Sequence, residues 1–366
     1  MISALQHLLN GDVPDEVVWT ADISYWISGQ RALGNADPSW DDELGYLHLC
    51  NELGIMPYYW YDKFWLAEPV YDRLVTVMTA TSDQTTVVRW ETPIGYLEQE
   101  SRYLPISGST GITRHAVQSP HDLDIFLWLL EHREMVPTNL HDYRQRLDMW
   151  IQHDGLPSVA LTRSPLSAFL YEWAGIQDGV YLLTDEPTKV KRILDLMEEQ
   201  ESSMIDAVCE VAPPLVHFAD NLSSDNMAGL YDLYMAGPHR RRLQRLHDAG
   251  VRCAVHLDGT ISGLLPRLIA SGFDAIEALT PFPAGDLTAM QIRDASRDTD
   301  VILWGGVPGV MFAPPYSWND MRLHVESLLD AWKGLRFIVG VADQVPPDGD
   351  ISYCRLISNL LRDYQR

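Results

Sequence analysis

Two periodicities alternate along this chain. Short apolar runs, each closed by a polar or charged residue, are followed by longer stretches with the three-to-four spacing of an amphipathic helix. The runs at residues 17–23, 158–162, 214–219, 253–255, 274–279, 301–304 and 337–341 read as buried strands. Between and after them, helices are predicted over residues 37–53, 141–151, 186–208, 226–249, 260–271, 318–332 and 351–362, with others near the amino terminus and from Ser119. Pro187 opens the helix at 186–208, as suits a first helical position. Pro238 splits the segment at 226–249 into two helices meeting there. Residues 85–119 break the pattern: they alternate, are rich in β-branched and aromatic residues, and contain a Gly/Ser tract, as an antiparallel β insertion would.

The count comes to about eight strands, mostly followed by helices, which fits a (β/α)8 TIM barrel; residues 56–65 are dense in aromatics that pack as core or lid, or wall a pocket. The whole chain, residues 1–366, then forms one barrel domain with an N-terminal extension and the insertion at 85–119. An open doubly wound sheet is the alternative, weakened by the absence of a phosphate-binding glycine fingerprint.

Composition narrows the class. Hydrophobic residues make up 46% of 366, enough for a large core. The net charge of −24 argues against nucleic acid and anionic membranes as partners. No apolar run approaches the ~20 residues of a membrane span, and the amino terminus lacks the marks of a signal peptide. Cys50, Cys209, Cys253 and Cys354 form no CxxC pair, so a reduced, cytoplasmic protein is expected.

On a parallel sheet, chemistry gathers at the carboxyl ends of the strands. The stretch from Arg252 to Asp286 is the sharpest case, delivering His256 and Asp258 from one strand and Glu277 from the next. Asp22, Arg163, Asp220, Asn221 and Asp343 end other strands, so all belong to the same rim. An imidazole with two or three carboxylates can hold a divalent cation such as zinc, or move protons without one. Plainer roles also fit: Asp220 and Asn221 as a helix cap, Asp343 as a turn brace, Arg163 as a salt-bridge partner or an anion clamp. Tyr25, Trp26, Trp60 and Trp90 are core packing or pocket wall.

The later two thirds of the chain resembles the uroporphyrinogen decarboxylase superfamily, particularly its corrinoid-dependent methyltransferases. The resemblance rests on Thr162-Arg-Ser-Pro165, Trp173-Ala-Gly175, Asp185-Glu-Pro187, Phe218-Ala-Asp-Asn221 and His256-Leu-Asp-Gly259. It continues through Ile276-Glu-Ala278, Thr280-Pro281, Trp304-Gly-Gly306, Pro308 and Asp343-Gln-Val-Pro-Pro347. It implies a (β/α)8 barrel that moves a methyl group from a small methylated substrate, aryl methyl ethers included, to the cob(I)alamin of a separate corrinoid protein. Zinc commonly activates the heteroatom in such enzymes. Where thiolate-zinc relatives carry cysteine, this chain has Asp258 and Asp343, so a metal would meet His256, Asp258, Glu277 and Asp343. The arginine-rich signature of the decarboxylases proper is missing, so uroporphyrinogen is not the expected substrate.

These readings assign His256, Glu277 and Asp220 to catalysis, and Asp22, Tyr25, Trp26, Trp60, Arg163 and Asn221 to substrate. A homodimer is compatible with them. The rival readings are a metal-independent decarboxylase or lyase acting on a small acid held by Arg163, and a non-catalytic binding barrel.

Overall fold

The computed structural model describes residues 1–59, 67–138 and 142–364. In chain order its strands are β1 (Trp19–Thr20), β2 (Ala67–Tyr71), β3 (Thr76–Ser82), β4 (Thr85–Thr92), β5 (Gly95–Leu104), β6 (Ser109–Arg114), β7 (Arg133–Pro137), β8 (Val159–Leu161), β9 (Leu215–Leu222), β10 (Arg252–Leu257), β11 (Ala275–Leu279), β12 (Ile302–Pro308) and β13 (Phe337–Ala342). Seven of them form a parallel sheet in the order β1-β13-β12-β11-β10-β9-β8. The sheet is closed by residues 56–58. Met56 N–H donates to Trp19 O at 2.8 Å on one side, while Leu156 and Ser158 N–H donate to Pro57 O and Tyr58 O at 3.0 and 2.9 Å on the other. Eight chain passes thus surround one interior, and the fold is a TIM barrel.

Strand alternation sorts the side chains into two cores. Leu215, Ala254, Ala275, Ile302, Trp304 and Ile338 point inward and pack with Val18, Met56 and Tyr58. Their neighbours Val216, Phe218, Cys253, Val255, Ile276, Leu303 and Val339 point outward against the helices. The amino-terminal helix Ile2–Asn10 brings Ala4, Leu5, Leu8 and Leu9 into the inner cluster. Arg336, just before β13, donates to Leu8 O, so this helix plugs the amino-terminal end of the barrel and leaves the carboxyl end open for chemistry. Trp304 fills the next layer, its Nε1–H donating to Thr20 Oγ1 at 2.8 Å. Gly340 makes room for it, because a Cβ there would come within 2.8 Å of Thr20 Oγ1 and 3.1 Å of the Trp304 ring.

The antiparallel sheet β3-β4-β5-β6 starts earlier than expected, at Thr76. It leans on the barrel through Trp90, whose ring lies 5.2 Å from that of Trp173. Its last turn reaches the carboxyl face: Gly108 abuts Ser28 too closely for any Cβ, and Ser109 hydrogen-bonds Tyr25.

Three helical expectations change. The helix expected at 260–271 begins only at Leu265. Before it, side chains capture the backbone: Asp286 accepts from Ile261 N–H at 2.7 Å and Ser224 Oγ from Gly263 N–H at 2.9 Å, holding a turn instead. Pro238 does not break a helix but sits in the first turn of Ala236–Asp248, where no intrahelical donor is needed. The long helix at 186–208 is two, Pro187–Gln200 and Ser202–Val211, parted at Glu201, which is buried against Arg242 at 3.0 Å. Among the described residues no helix is long and apolar enough to cross a membrane.

Leu8 is fully buried at the barrel floor. Leu8→Ala is expected to cost about 2–5 kcal/mol of unfolding free energy in a urea titration, as large-to-small core substitutions do. A loss below about 0.5 kcal/mol, the range of surface substitutions, would mean the helix is not seated in the floor.

Candidate active site at the barrel mouth

A cavity of about 140 Å³ opens at the carboxyl end of the strands. Each wall comes from a different element. Asp22 and Tyr25 follow β1, Tyr58 and Tyr59 come from the closing segment, and His217 and Asn221 from β9. His256 ends β10 with Asp258 just beyond, β11 contributes Glu277, and Asp343 and Gln344 follow β13. Three of the positions bearing this rim, Asn221, Ala278 and Asp343, have left-handed backbones with φ of 51°, 62° and 66°. Non-glycine residues adopt that region at a cost of about 1–3 kcal/mol each, and such strain concentrates at functional sites.

The centre is a buried ion pair. Register places His256 directly opposite Glu277 on adjacent strands, and His256 Nδ1 lies 2.6 Å from Glu277 Oε2. Tyr58 O–H donates to the other carboxylate oxygen at 3.1 Å. The second ring nitrogen, Nε2, is turned toward Asp258, 3.9 Å from its Oδ2. Burial opposes charge on His256, but Glu277 and Asp258 outweigh it and hold the imidazolium well above an ordinary histidine. Burial likewise opposes charge on Glu277, yet His256 and the Tyr58 hydrogen bond keep it below an ordinary glutamate.

Groups around the pair are driven the other way. Burial raises Asp22 to about 7, helped by the charges of Asp343 and Glu277 and opposed by the hydrogen bond from Ser24 N–H at 2.8 Å. Burial also raises Asp343, with Asp258 and Glu277 adding to it and His256 opposing. His217 is pushed down to about 4 by burial, so its ring is neutral. One nitrogen, Nδ1, bonds Ser158 Oγ; the other, Nε2, is buried with no partner among the described residues.

Comparison with known proteins belongs to this geometry. No family model matches the sequence, and no curated protein matches it either. Solved structures do. The chain shares its fold, end to end, with a methyltransferase from Methanosarcina mazei: the two agree at a TM-score of 0.61 over 99% of this chain and 98% of that one, at 12% identity. A putative vitamin-B12 independent methionine synthase from Listeria monocytogenes overlaps 96% of both chains at a TM-score of 0.42 and 9% identity. One from Shewanella sp. W3-18-1 overlaps 63% of this chain and 72% of its own at 0.43 and 10%. The last two likenesses are too slight to bear on anything here. The first gives the fold, and it is the fold that the resemblance to the uroporphyrinogen decarboxylase superfamily implied.

Not every expected residue reaches the cavity. Asp22, Tyr25, Asn221, His256, Asp258, Glu277 and Asp343 do. Asp220 is fully buried on the opposite face of β9. There it accepts from Ser164 N–H at 2.6 Å and lies 2.9 Å from His239 Nε2, bracing the helical layer. Alternation explains this, since Asn221 faces inward and its neighbour must face out. Arg163 pairs with Glu172 at 2.8 Å and lies over the Tyr171 ring. Trp26 turns away, donating to Gly349 O at 3.1 Å and packing against Trp40. Trp60 lies outside the described residues. Sequence reasoning missed His217 and Gln344, and left Tyr58 and Tyr59 undecided among the aromatics of residues 58–65, between packing and pocket wall. His217 was findable, because it shares the inward face of β9 with Asn221, four positions on.

Zinc at His256, Asp258, Glu277 and Asp343 requires their donor atoms to converge. Among the described residues, the group whose donors all lie within 4.8 Å of one another is instead His247, Cys253 and Asp274, at the amino-terminal end of β10 and β11. At the mouth, His256 Nδ1 and Glu277 already satisfy each other, and among the described residues no cysteine lines the cavity. As arranged, the mouth does not fit a zinc ion and is better described as an ion pair flanked by carboxylates.

The raised carboxyl of Asp22 predicts a signed pH effect. Ionising it costs the native state more than the unfolded chain, so wild type is penalised progressively as pH rises from about 3.8 through about 7. Asp22→Asn keeps an acceptor for Ser24 N–H and removes that penalty. Urea unfolding at several pH values should show the variant gaining on wild type across this window and levelling off above it. A stability difference independent of pH would show that Asp22 titrates as an ordinary carboxylate.

Proposed function

We propose that this chain is a methyltransferase of the uroporphyrinogen decarboxylase superfamily, taking a methyl group from a heteroatom of a small substrate and delivering it to the cob(I)alamin of a separate corrinoid protein. The observation that carries this reading is His256, charged, anchored through Nδ1 to Glu277, and presenting Nε2 at the cavity wall. When a methyl group leaves a heteroatom as the equivalent of CH3⁺, the bonding electrons stay behind and need a partner. The His256 Nε2–H donates a proton to that emerging lone pair, a general-acid role worth typically 10²–10⁴ in rate. Glu277 and Tyr58 keep the ring oriented and charged through the step. The small cavity suits a small donor, since drug-sized ligands occupy roughly 300–1,000 Å³. Membership of a fold supports this only by analogy; the chemistry rests on the site.

The lyase reading needs a cation for the substrate's carboxylate. Arg163 pairs with Glu172, and among the described residues neither lysine nor arginine lines the cavity, which favours methyl transfer.

The test is spectroscopic. Free cob(I)alamin serves as acceptor, with methoxybenzenes, methylamines and methyl thioethers as candidate donors, and methylcobalamin formation is followed by absorbance. At least one donor should react, His256→Ala should slow it about 100-fold or more, and zinc chelators should leave the rate unchanged. Absence of transfer from every class, or a rate within about threefold of wild type in His256→Ala, would contradict the proposal. Loss of activity with chelator and recovery with zinc would return the site to Lewis-acid chemistry.

A further inference from the structure

The cavity is lopsided in charge. Among the described residues, Asp22, Asp258, Glu277 and Asp343 line it, and no lysine or arginine does. Glu277 is committed to His256, and Asp258 lies 3.9 Å from the same ring. Among the described residues, neither Asp22 nor Asp343 has an ion-pair partner, although Asp22 is 3% exposed. Buried carboxylates without cations are costly, so a site holding this many is built for something positive. Tyr25, Tyr58 and Tyr59 add aromatic rings to the wall, beside Ala219, Asn221, Gln344 and the two histidines. Carboxylates with tyrosine faces are the surroundings that hold alkylammonium groups, through charge and cation–π attraction together.

A second observation points to a ligand independently of the acids. His217 is 4% exposed and lines the cavity, yet its Nε2 has no hydrogen-bond partner among the described residues. Buried polar atoms are nearly always satisfied, and one left open in a cavity wall is completed by what binds there.

We infer that the methyl donor is a small methylated ammonium ion with a polar end. This rests on the methyl-transfer reading and narrows it. Asp22, Asp343 and Asp258 balance the ammonium charge, the tyrosine rings surround its methyl groups, and His217 Nε2 hydrogen-bonds the polar end. In the reaction the C–N bond breaks and its electron pair stays on nitrogen. The methyl group joins the electron pair of cob(I)alamin, and the freed nitrogen takes the His256 Nε2 proton. The departing amine therefore leaves as a cation, so the bound ligand carries one positive charge before and after, while His256 passes from charged to neutral as it gives up its proton. A neutral ether would bring no charge to favour ionisation of Asp22 and Asp343, which burial opposes.

Calorimetric titration of the full chain, with no corrinoid present, tests this. Choline is compared with 3,3-dimethylbutan-1-ol, its uncharged isostere, and with 2-methoxyphenol as an ether probe. Choline should bind at least about tenfold more tightly than either, a difference of one decade in dissociation constant. Asp343→Asn and, separately, Asp22→Asn should shrink that preference. Equal or tighter binding of the isostere or the ether, or no binding of choline, overturns the inference. So does a preference unchanged in both variants. Because no methyl acceptor is present, the outcome is independent of transfer: a chain that binds choline but methylates no cobalamin keeps the cation site and loses the methyl-transfer reading.

Discussion

The mouth of this barrel depends on one pairing across two adjacent parallel strands. Because β10 and β11 align His256 with Glu277, an imidazole and a carboxylate meet 2.6 Å apart where little water reaches. Separately, burial would make each neutral; together each keeps the other charged. Around the pair, burial depresses His217 and raises Asp22 and Asp343; Glu277 adds to the rise of both carboxyls, while His256 opposes that of Asp343. Removing one member of such a pair typically costs 3–5 kcal/mol, because its partner is left buried and alone. The same pair is therefore both a constraint on folding and the source of the proton that the proposed chemistry uses.

The barrel supplies the rest by dividing labour between its ends. The helix Ile2–Asn10 and the layer around Trp304 make the floor apolar and tight. The carboxyl ends carry strained backbones and polar tips, with the last turn of the antiparallel sheet reaching Tyr25 from above. Rigid packing below and polar, strained positions above is the general arrangement by which a barrel positions reacting groups.

Much of this was legible in the chain. The strands ending at His256, Glu277 and Asp343 were marked by apolar runs closed by polar residues, and local pattern suffices for that. What pattern could not supply is direction across non-regular segments. Asp220 and Asn221 looked equivalent at a strand tip; only the in-out phase of β9, fixed by Phe218 packing outward on His239 and Phe273, separates them. Residues 56–58 close the barrel through hydrogen bonds to Trp19, Leu156 and Ser158. Those partners are far apart in sequence, so Tyr58 read only as one more aromatic. The shortened helix at Leu265 has the same origin, because the groups that capture its backbone, Asp286 and Ser224, come from other loops.

The account stands on a charged, Glu277-anchored His256. Nitrogen-15 NMR of the imidazoles in metal-free protein observes that state directly. The account predicts that wild-type His256 stays doubly protonated at pH values well above the ordinary histidine value of 6.5, and that Glu277→Gln loses the proton there. A His256 that titrates at or below the ordinary histidine value in wild type would contradict it, and would remove the proton donor on which the methyl-transfer mechanism depends.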